Sequence, residues 1–121
     1  MDKKQAILIV DDSVIIVDRL TELISDLQNI KSIVKASTYA EGIAMLQQSK
    51  PDIAVLDINL PDKSGIEVLK YIKSNLPSIV VIMFSNQGNE YYRDLCKSLG
   101  ADYFVDKSKG FDEIPDIISS I

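Results

Sequence analysis

The chain has 121 residues, enough for one domain, and 46% of them are hydrophobic, so a sizeable core is possible. Its formal net charge of −5 disfavours nucleic acid as a partner, and the lack of histidine excludes a Ser-His-Asp triad, a histidine-ligated zinc and a phosphohistidine within the chain. The single cysteine, Cys96, excludes an intramolecular disulfide. The apolar runs are too short to span a bilayer, and no signal peptide opens the chain, so we expect a cytoplasmic protein without a membrane partner.

Five short apolar runs predict β-strands, and the stretches after them carry apolar residues at helical spacing. In chain order, the strands are expected at residues 6–10, 32–36, 52–56, 79–83 and 103–105. The intervening and final helices are expected to bury, in turn, Val17, Leu20, Ile24 and Leu27; Tyr39, Ile43 and Leu46; Ile66, Leu69 and Ile72; Tyr92, Leu95 and Leu99; and Ile114, Ile117, Ile118 and Ile121.

This alternation predicts an α/β fold, a single doubly wound five-stranded parallel sheet with helices on both faces. The first, third and fourth runs are apolar almost throughout, which is typical of strands buried on both faces. The second run contains Ser32 and Lys35, and the fifth is short, so both are expected at the edges. Right-handed crossovers then give the flavodoxin-like strand order 2-1-3-4-5, whereas a Rossmann-like order would put the apolar third run at an edge.

Three aspartates follow two strands that this order makes neighbours. Asp11 and Asp12 end the first strand, and Asp57 ends the third. In such sheets, ligands bind beyond the carboxyl ends of the strands, where the strand order reverses. Three carboxylates in one crevice repel one another, so they indicate a bound cation, and an all-oxygen donor set suits Mg²⁺ or Mn²⁺. Taken singly, Asp12 or Ser13 could simply cap a helix, and Asp57 could be a turn residue.

A hydroxyl and an ammonium group are expected on the same rim. Ser85 follows the fourth strand and Lys107 the fifth. Together with a carboxylate nucleophile and a metal, these are the groups that phosphoryl transfer requires. In isolation, Ser85 is more simply a turn residue and Lys107 a solvated loop lysine.

In this order, the residues resemble the receiver domain of two-component response regulators, of the chemotaxis type that stands alone. Residues 57–65, DINLPDKSG, are similar to the family's aspartate, leucine-proline, glycine loop. Ser85 stands 28 residues after Asp57 (85 − 57) and Lys107 another 22 later (107 − 85), which matches the family's order. The resemblance implies that Asp57 is the phosphoacceptor and that Ser85 and Lys107 contact the phosphoryl group. It also implies that Mg²⁺ binds Asp12, Asp57 and the backbone carbonyl of Asn59, with Asp11 acting mostly through water.

The resemblance further implies a switch on the face formed by the fourth helix, fifth strand and fifth helix. Phe104 stands at the family's aromatic switch position, although it could equally be an ordinary edge-strand core residue. The expected partners are a sensor histidine kinase or phosphotransfer protein and an unknown downstream protein. We expect a receiver domain over 1–121 without an output domain, a monomer or a phosphorylation-dependent dimer, and no turnover substrate.

Two residues depart from the family pattern. Asn86 stands where the family usually has a small residue, and Ser108 where many relatives have proline, so the cis peptide common at that step is not expected. These departures leave open a degenerate receiver that acts only by binding proteins. A haloacid-dehalogenase-type aspartate phosphatase would need an acid at position 59, which is Asn, and a flavodoxin would need a phosphate loop where Asp11 and Asp12 stand.

Overall fold

The computed structural model describes residues 4–86 and 89–121, and within them strands and helices alternate five times. The strands are β1 (Gln5–Val10), β2 (Ile30–Ala36), β3 (Ile53–Leu56), β4 (Val80–Ser85) and β5 (Tyr103–Asp106). The helices are α1 (Val14–Ser25), α2 (Tyr39–Gln48), α3 (Gly65–Asn75), α4 (Glu90–Ser98) and α5 (Glu113–Ser120).

All five strands are parallel and lie in the order β2-β1-β3-β4-β5, which confirms the predicted topology. The order reverses between β1 and β3, where Val10 pairs with Leu56. Consequently the residues that follow these two strands meet at one rim of the sheet.

The sheet separates two apolar layers, because alternate side chains of each central strand point to opposite faces. Leu8 and Val10 of β1 belong to a cluster completed by α2, α3 and α4. Ile7 and Ile9 belong to the opposite cluster, completed by α1 and α5. Each fully buried side chain of this kind contributes about 1.5–3 kcal/mol of transfer free energy, so the two layers hold the rim in place.

The edge strands are those that the sequence predicts. In β2, Lys31, Ser32 and Lys35 are exposed, whereas every residue of β3 is buried. The third strand begins one residue later than predicted, at Ile53. The Asp52 carboxylate just before it accepts a hydrogen bond from the Ala6 backbone N–H at 2.8 Å.

The helices differ from their predicted faces in three places. Ile121, predicted on the buried face of the last helix, follows α5 and is exposed. Helix α1 ends at Ser25, and Leu27 packs against the core from the following turn. In α4 the fully buried residue is Cys96, while Leu95 on the predicted face is only half-buried. No helix within residues 4–86 and 89–121 is long and apolar enough to cross a bilayer.

Candidate functional site

The rim of the sheet brings a buried lysine between two buried aspartates. Asp11, Asp57 and Lys107 are 3%, 6% and 8% exposed. The Lys107 ammonium nitrogen lies 2.6 Å from Asp11 Oδ2 and 3.2 Å from Asp57 Oδ2. Lys107 is therefore not the solvated loop lysine that it suggests when taken alone.

A third aspartate completes an acidic cluster beside this ion pair. Asp11, Asp12 and Asp57 each offer a carboxylate oxygen, and these oxygens lie within 4.8 Å of one another. Asp12 is exposed, so one side of the cluster opens to solvent. Such a donor set fits a hard divalent cation that keeps several of its waters.

Burial raises the pKa of Asp57 above its ordinary value. The Lys107 ammonium opposes this effect, the neighbouring Asp11 charge adds to it, and hydrogen bonds from Lys107 and the Asn59 backbone N–H lower the pKa again. Because the effects of burial and Asp11 prevail, the positive charge of Lys107 does not fully offset the cost of ionising the Asp57 carboxylate. Additional positive charge at this cluster would favour its ionised form.

Hydrogen bonds fix the turn that contains Asp11 and Asp12. The Ser13 backbone N–H donates to Asp11 Oδ1 at 2.9 Å, and the Ser13 hydroxyl caps α1 by accepting from the Ile16 N–H at 3.4 Å. The Asp57 backbone N–H donates to the Val10 carbonyl at 2.9 Å. Ser13, and not Asp12, is therefore the N-cap of α1.

The loop after Asp57 closes on a glycine that no other residue can replace without movement. The Gly65 backbone N–H donates to the Ile58 carbonyl at 2.8 Å. A Cβ atom at position 65 would overlap the Asp57 backbone carbonyl oxygen. Gly65 thus allows the first turn of α3 to lie directly against the backbone of Asp57.

The same loop contacts α2 through Asp62, an aspartate to which the sequence analysis assigned no role. The Asp62 carboxylate accepts hydrogen bonds from the backbone N–H groups of Tyr39 at 2.8 Å and Ala40 at 3.0 Å, in the first turn of α2. Desolvation, the largest single contribution, raises the pKa of Asp62, but these N–H groups and that of Lys63 together lower it. A contact across 23 residues leaves no local sequence signal.

The fourth strand places Ser85 on the rim, fully buried. Its backbone carbonyl accepts a hydrogen bond from the Lys107 N–H at 3.1 Å, which joins the ends of β4 and β5. Asn86, the next residue, is exposed. Among the described residues no peptide bond is cis, so the 107–108 bond is trans.

Phe104 lies away from this rim, half-buried against the α2–α4 layer. The Arg93 guanidinium of α4 lies over its ring, 4.9 Å from the centroid, and donates to the Phe104 carbonyl at 3.3 Å. Sequence reasoning did not identify Arg93, because neither its spacing nor its charge distinguishes it from other exposed residues of α4.

A family model described as response regulator receiver domain matches residues 7–119. The chain belongs to the response regulator receiver family. This receiver is 34% identical over 108 residues to the protein-glutamate methylesterase/protein-glutamine glutaminase of Clostridium acetobutylicum, a match that covers 87% of the chain but only 31% of that enzyme. The chain therefore spans about a third of the length of this relative.

Solved structures resemble the receiver over nearly its whole length. The phosphorylated cyanobacterial phytochrome response regulator RcpA is 27% identical with a TM-score of 0.83, over 97% of this chain and 90% of that one. The Mn²⁺-bound form of response regulator Rcp1 is 26% identical with a TM-score of 0.81, over 97% and 91% of the two chains. The receiver thus belongs to two-component signalling, and receivers bind divalent metal at an acidic aspartate cluster like the one described above.

Proposed function

We propose that this receiver accepts a phosphoryl group on Asp57 from a histidine kinase or phosphotransfer protein, in a reaction that depends on Mg²⁺. The observation that carries the proposal is the convergence of Asp11, Asp12 and Lys107 around the buried Asp57 carboxylate. The chain contains no histidine, so a phosphohistidine donor must lie outside it.

In the proposed reaction, an Asp57 carboxylate oxygen attacks phosphorus. The bond from phosphorus to the donor's histidine nitrogen breaks, the electron pair stays on that nitrogen, and an acyl phosphate forms at Asp57. Lys107 neutralises charge on the transferred group, and the Ser85 hydroxyl donates a hydrogen bond to one of its oxygens.

Asp11, Asp12, Asp57 and the backbone carbonyl of Asn59 would hold the metal. When bound, Mg²⁺ supplies charge neutralisation for the phosphoryl oxygens, and Mn²⁺ has the same ligand preference. The acidic cluster supports this assignment because its donors are all oxygens and Asp12 opens towards solvent. Water later hydrolyses the acyl phosphate, so the protein resets itself and has no turnover substrate.

The proposed output is a change on the face formed by α4, β5 and α5. Ser85 moves towards the phosphoryl group, and Phe104 turns into the space that this movement opens. Phe104 is half-buried in the present structure, so an inward turn would change the surface that a downstream protein contacts, in a monomer or in a phosphorylation-dependent dimer.

We propose that residues 1–121 act as one receiver in the cytoplasm, and of these, residues 1–3, 87 and 88 lie outside the described part. A single unpaired cysteine is in keeping with a reducing compartment.

Labelling with a small phosphodonor tests this proposal. Acetyl phosphate with MgCl₂ should add one phosphoryl group to the wild type, mapped to Asp57 by mass spectrometry, and none without metal. Asp57→Asn should not be labelled, whereas Asp94→Asn, at an exposed position of α4, should be labelled like the wild type.

Three outcomes contradict the proposal. Labelling of Asp57→Asn at the wild-type level would place the acceptor elsewhere. A wild type that is never labelled, although it binds Mg²⁺, would favour the alternative of a receiver that works only by binding other proteins. Steady release of phosphate from added phosphomonoesters would favour a phosphatase.

A further inference from the structure

The turn that carries Lys107 is locked by the residue before it. Asp106 ends β5, and its Oδ1 atom accepts two hydrogen bonds from Ser108, one from the backbone N–H at 2.8 Å and one from the hydroxyl at 2.7 Å. The Asp106 backbone carbonyl accepts from the N–H groups of Lys109 at 3.2 Å and Gly110 at 2.8 Å. Residues 106–110 therefore form a closed turn around Lys107.

This turn fixes the backbone from which the Lys107 side chain extends. The Lys107 backbone N–H is fixed to the Ser85 carbonyl on one side, and the Asp106–Ser108 hydrogen bonds fix the backbone on the other. Ser108 has no ring to restrict its backbone, so these hydrogen bonds supply the restriction. From this anchored backbone the ammonium group reaches both Asp11 and Asp57.

We propose that Asp106 is a positioning residue for the phosphoryl-transfer site, which holds the Lys107 ammonium at the Asp11–Asp57 cluster by closing the turn onto Ser108. Asp106 itself does not touch the cluster. The part of this inference that concerns phosphoryl transfer rests on the proposed function, while the part that concerns metal binding does not.

Hydrogen bonds from Ser108 favour the ionised form of Asp106. The two hydrogen bonds from Ser108 contribute most to lowering its pKa, and the positive charges of Lys109 and Arg93 add to this effect. Arg93 also lies over Phe104, so one side chain of α4 faces both the proposed switch residue and the residue that fixes the Lys107 turn. Asp106 is therefore ionised at neutral pH, where the test is made.

The test compares Asp106→Ala with Asp106→Asn. Both variants remove the negative charge, but only asparagine keeps an Oδ1 acceptor for Ser108, so their difference isolates the hydrogen bonds. For each protein we would measure the Mg²⁺ dissociation constant by calorimetry with MgCl₂ alone, and the acetyl phosphate labelling rate at saturating Mg²⁺. Far-ultraviolet circular dichroism checks that each variant is folded.

Positioning predicts opposite effects on the two measurements. A loosened ammonium competes less well with Mg²⁺ for the carboxylates, so Asp106→Ala should bind Mg²⁺ several-fold more tightly than Asp106→Asn. The same looseness should slow labelling about tenfold relative to Asp106→Asn, the effect of losing roughly one hydrogen bond from the transition state. General damage to the site would instead weaken metal binding and slow labelling together.

A second comparison in the Lys107→Met background shows whether Asp106 acts through Lys107. With the ammonium gone, Asp106→Ala and Asp106→Asn should bind Mg²⁺ equally well. Equal affinities and equal rates in the wild-type background, or a difference that persists with Lys107→Met, would overturn the inference. If the wild type is not labelled at all, the proposed function fails, and the Mg²⁺ comparison still decides the role of Asp106.

Discussion

Replacing Lys107 with methionine tests whether the chain supplies its own cation to the acidic cluster. Methionine keeps most of the side chain's apolar stem, so the change removes the ammonium group and little packing. Asp11 and Asp57 then remain buried, within 4.8 Å of each other and without the cation that lies between them in the wild type.

The distances give the size of the effect. At an effective dielectric of about 20, the ammonium attracts Asp11 by about 6 kcal/mol at 2.6 Å and Asp57 by about 5 kcal/mol at 3.2 Å. Desolvation of the three groups offsets most of this attraction, and removal of one partner from a buried ion pair typically costs about 3–5 kcal/mol. We therefore expect the free energy of unfolding of Lys107→Met to fall by about 3 kcal/mol in EDTA at neutral pH.

Mg²⁺ should reverse about half of this loss. Without the competing ammonium, the cluster should bind Mg²⁺ at least about tenfold more tightly, which adds about 1.4 kcal/mol to the stabilisation by saturating metal. Urea unfolding followed by far-ultraviolet circular dichroism, in EDTA and in saturating MgCl₂, measures both effects.

Lys109→Met is the matched control, since it removes an exposed lysine from the same loop. Its free energy of unfolding should change by less than about 0.5 kcal/mol in EDTA, as is usual for surface substitutions. If Lys107→Met were as stable as this control in EDTA and bound Mg²⁺ no more tightly than the wild type, the ammonium would not compensate the cluster.

Two other substitutions have outcomes that follow from the site. Because the pKa of Asp57 is raised in the fold, its ionisation destabilises the native state as pH rises from the ordinary carboxyl value of about 3.9 through the raised pKa. In EDTA, Asp57→Asn should therefore be more stable than the wild type at neutral pH, with a difference that shrinks on acidification in urea titrations; a constant difference would contradict the raised pKa. Gly65→Ala should lower the free energy of unfolding by more than about 2 kcal/mol and weaken Mg²⁺ binding, because the new methyl group displaces the Asp57 backbone. Gly42→Ala should be milder in both assays, because the atoms nearest to its added Cβ belong to the Val10 side chain and not to the backbone.

The sheet order could be read from the sequence because burial leaves a local trace. Strands covered on both faces need apolar residues at every position, as in Ile53–Leu56, whereas β2 could expose Ser32 and Lys35 only at an edge. Once the order was fixed, the positions of Asp11, Asp57, Ser85 and Lys107 on one rim followed from parallel geometry.

Contacts between side chains distant in sequence left no such trace. Lys107 was expected to meet a phosphoryl group, but no spacing in the sequence predicts its ion pair with Asp11, 96 residues earlier (107 − 11). The Asp62 cap on α2 likewise joins two loops that lie far apart along the chain. The prediction from helical spacing was also wrong about the buried side of α4, where Cys96 is the buried residue. Tyrosine and leucine gave the stronger apolar pattern, although a cysteine is apolar enough to be buried.

The groups at the rim are contributed from Asp11 near the start of the chain to Lys107 near its end. No shorter stretch contains them, and β3, which Asp57 directly follows, lies in the sheet between its neighbours β1 and β4. A nascent chain consequently has no complete rim until residue 107 has left the ribosome and β5 has docked beside β4. Assembly of the rim is thus tied to the docking of β5, and a shorter chain lacks the lysine that lies between Asp11 and Asp57.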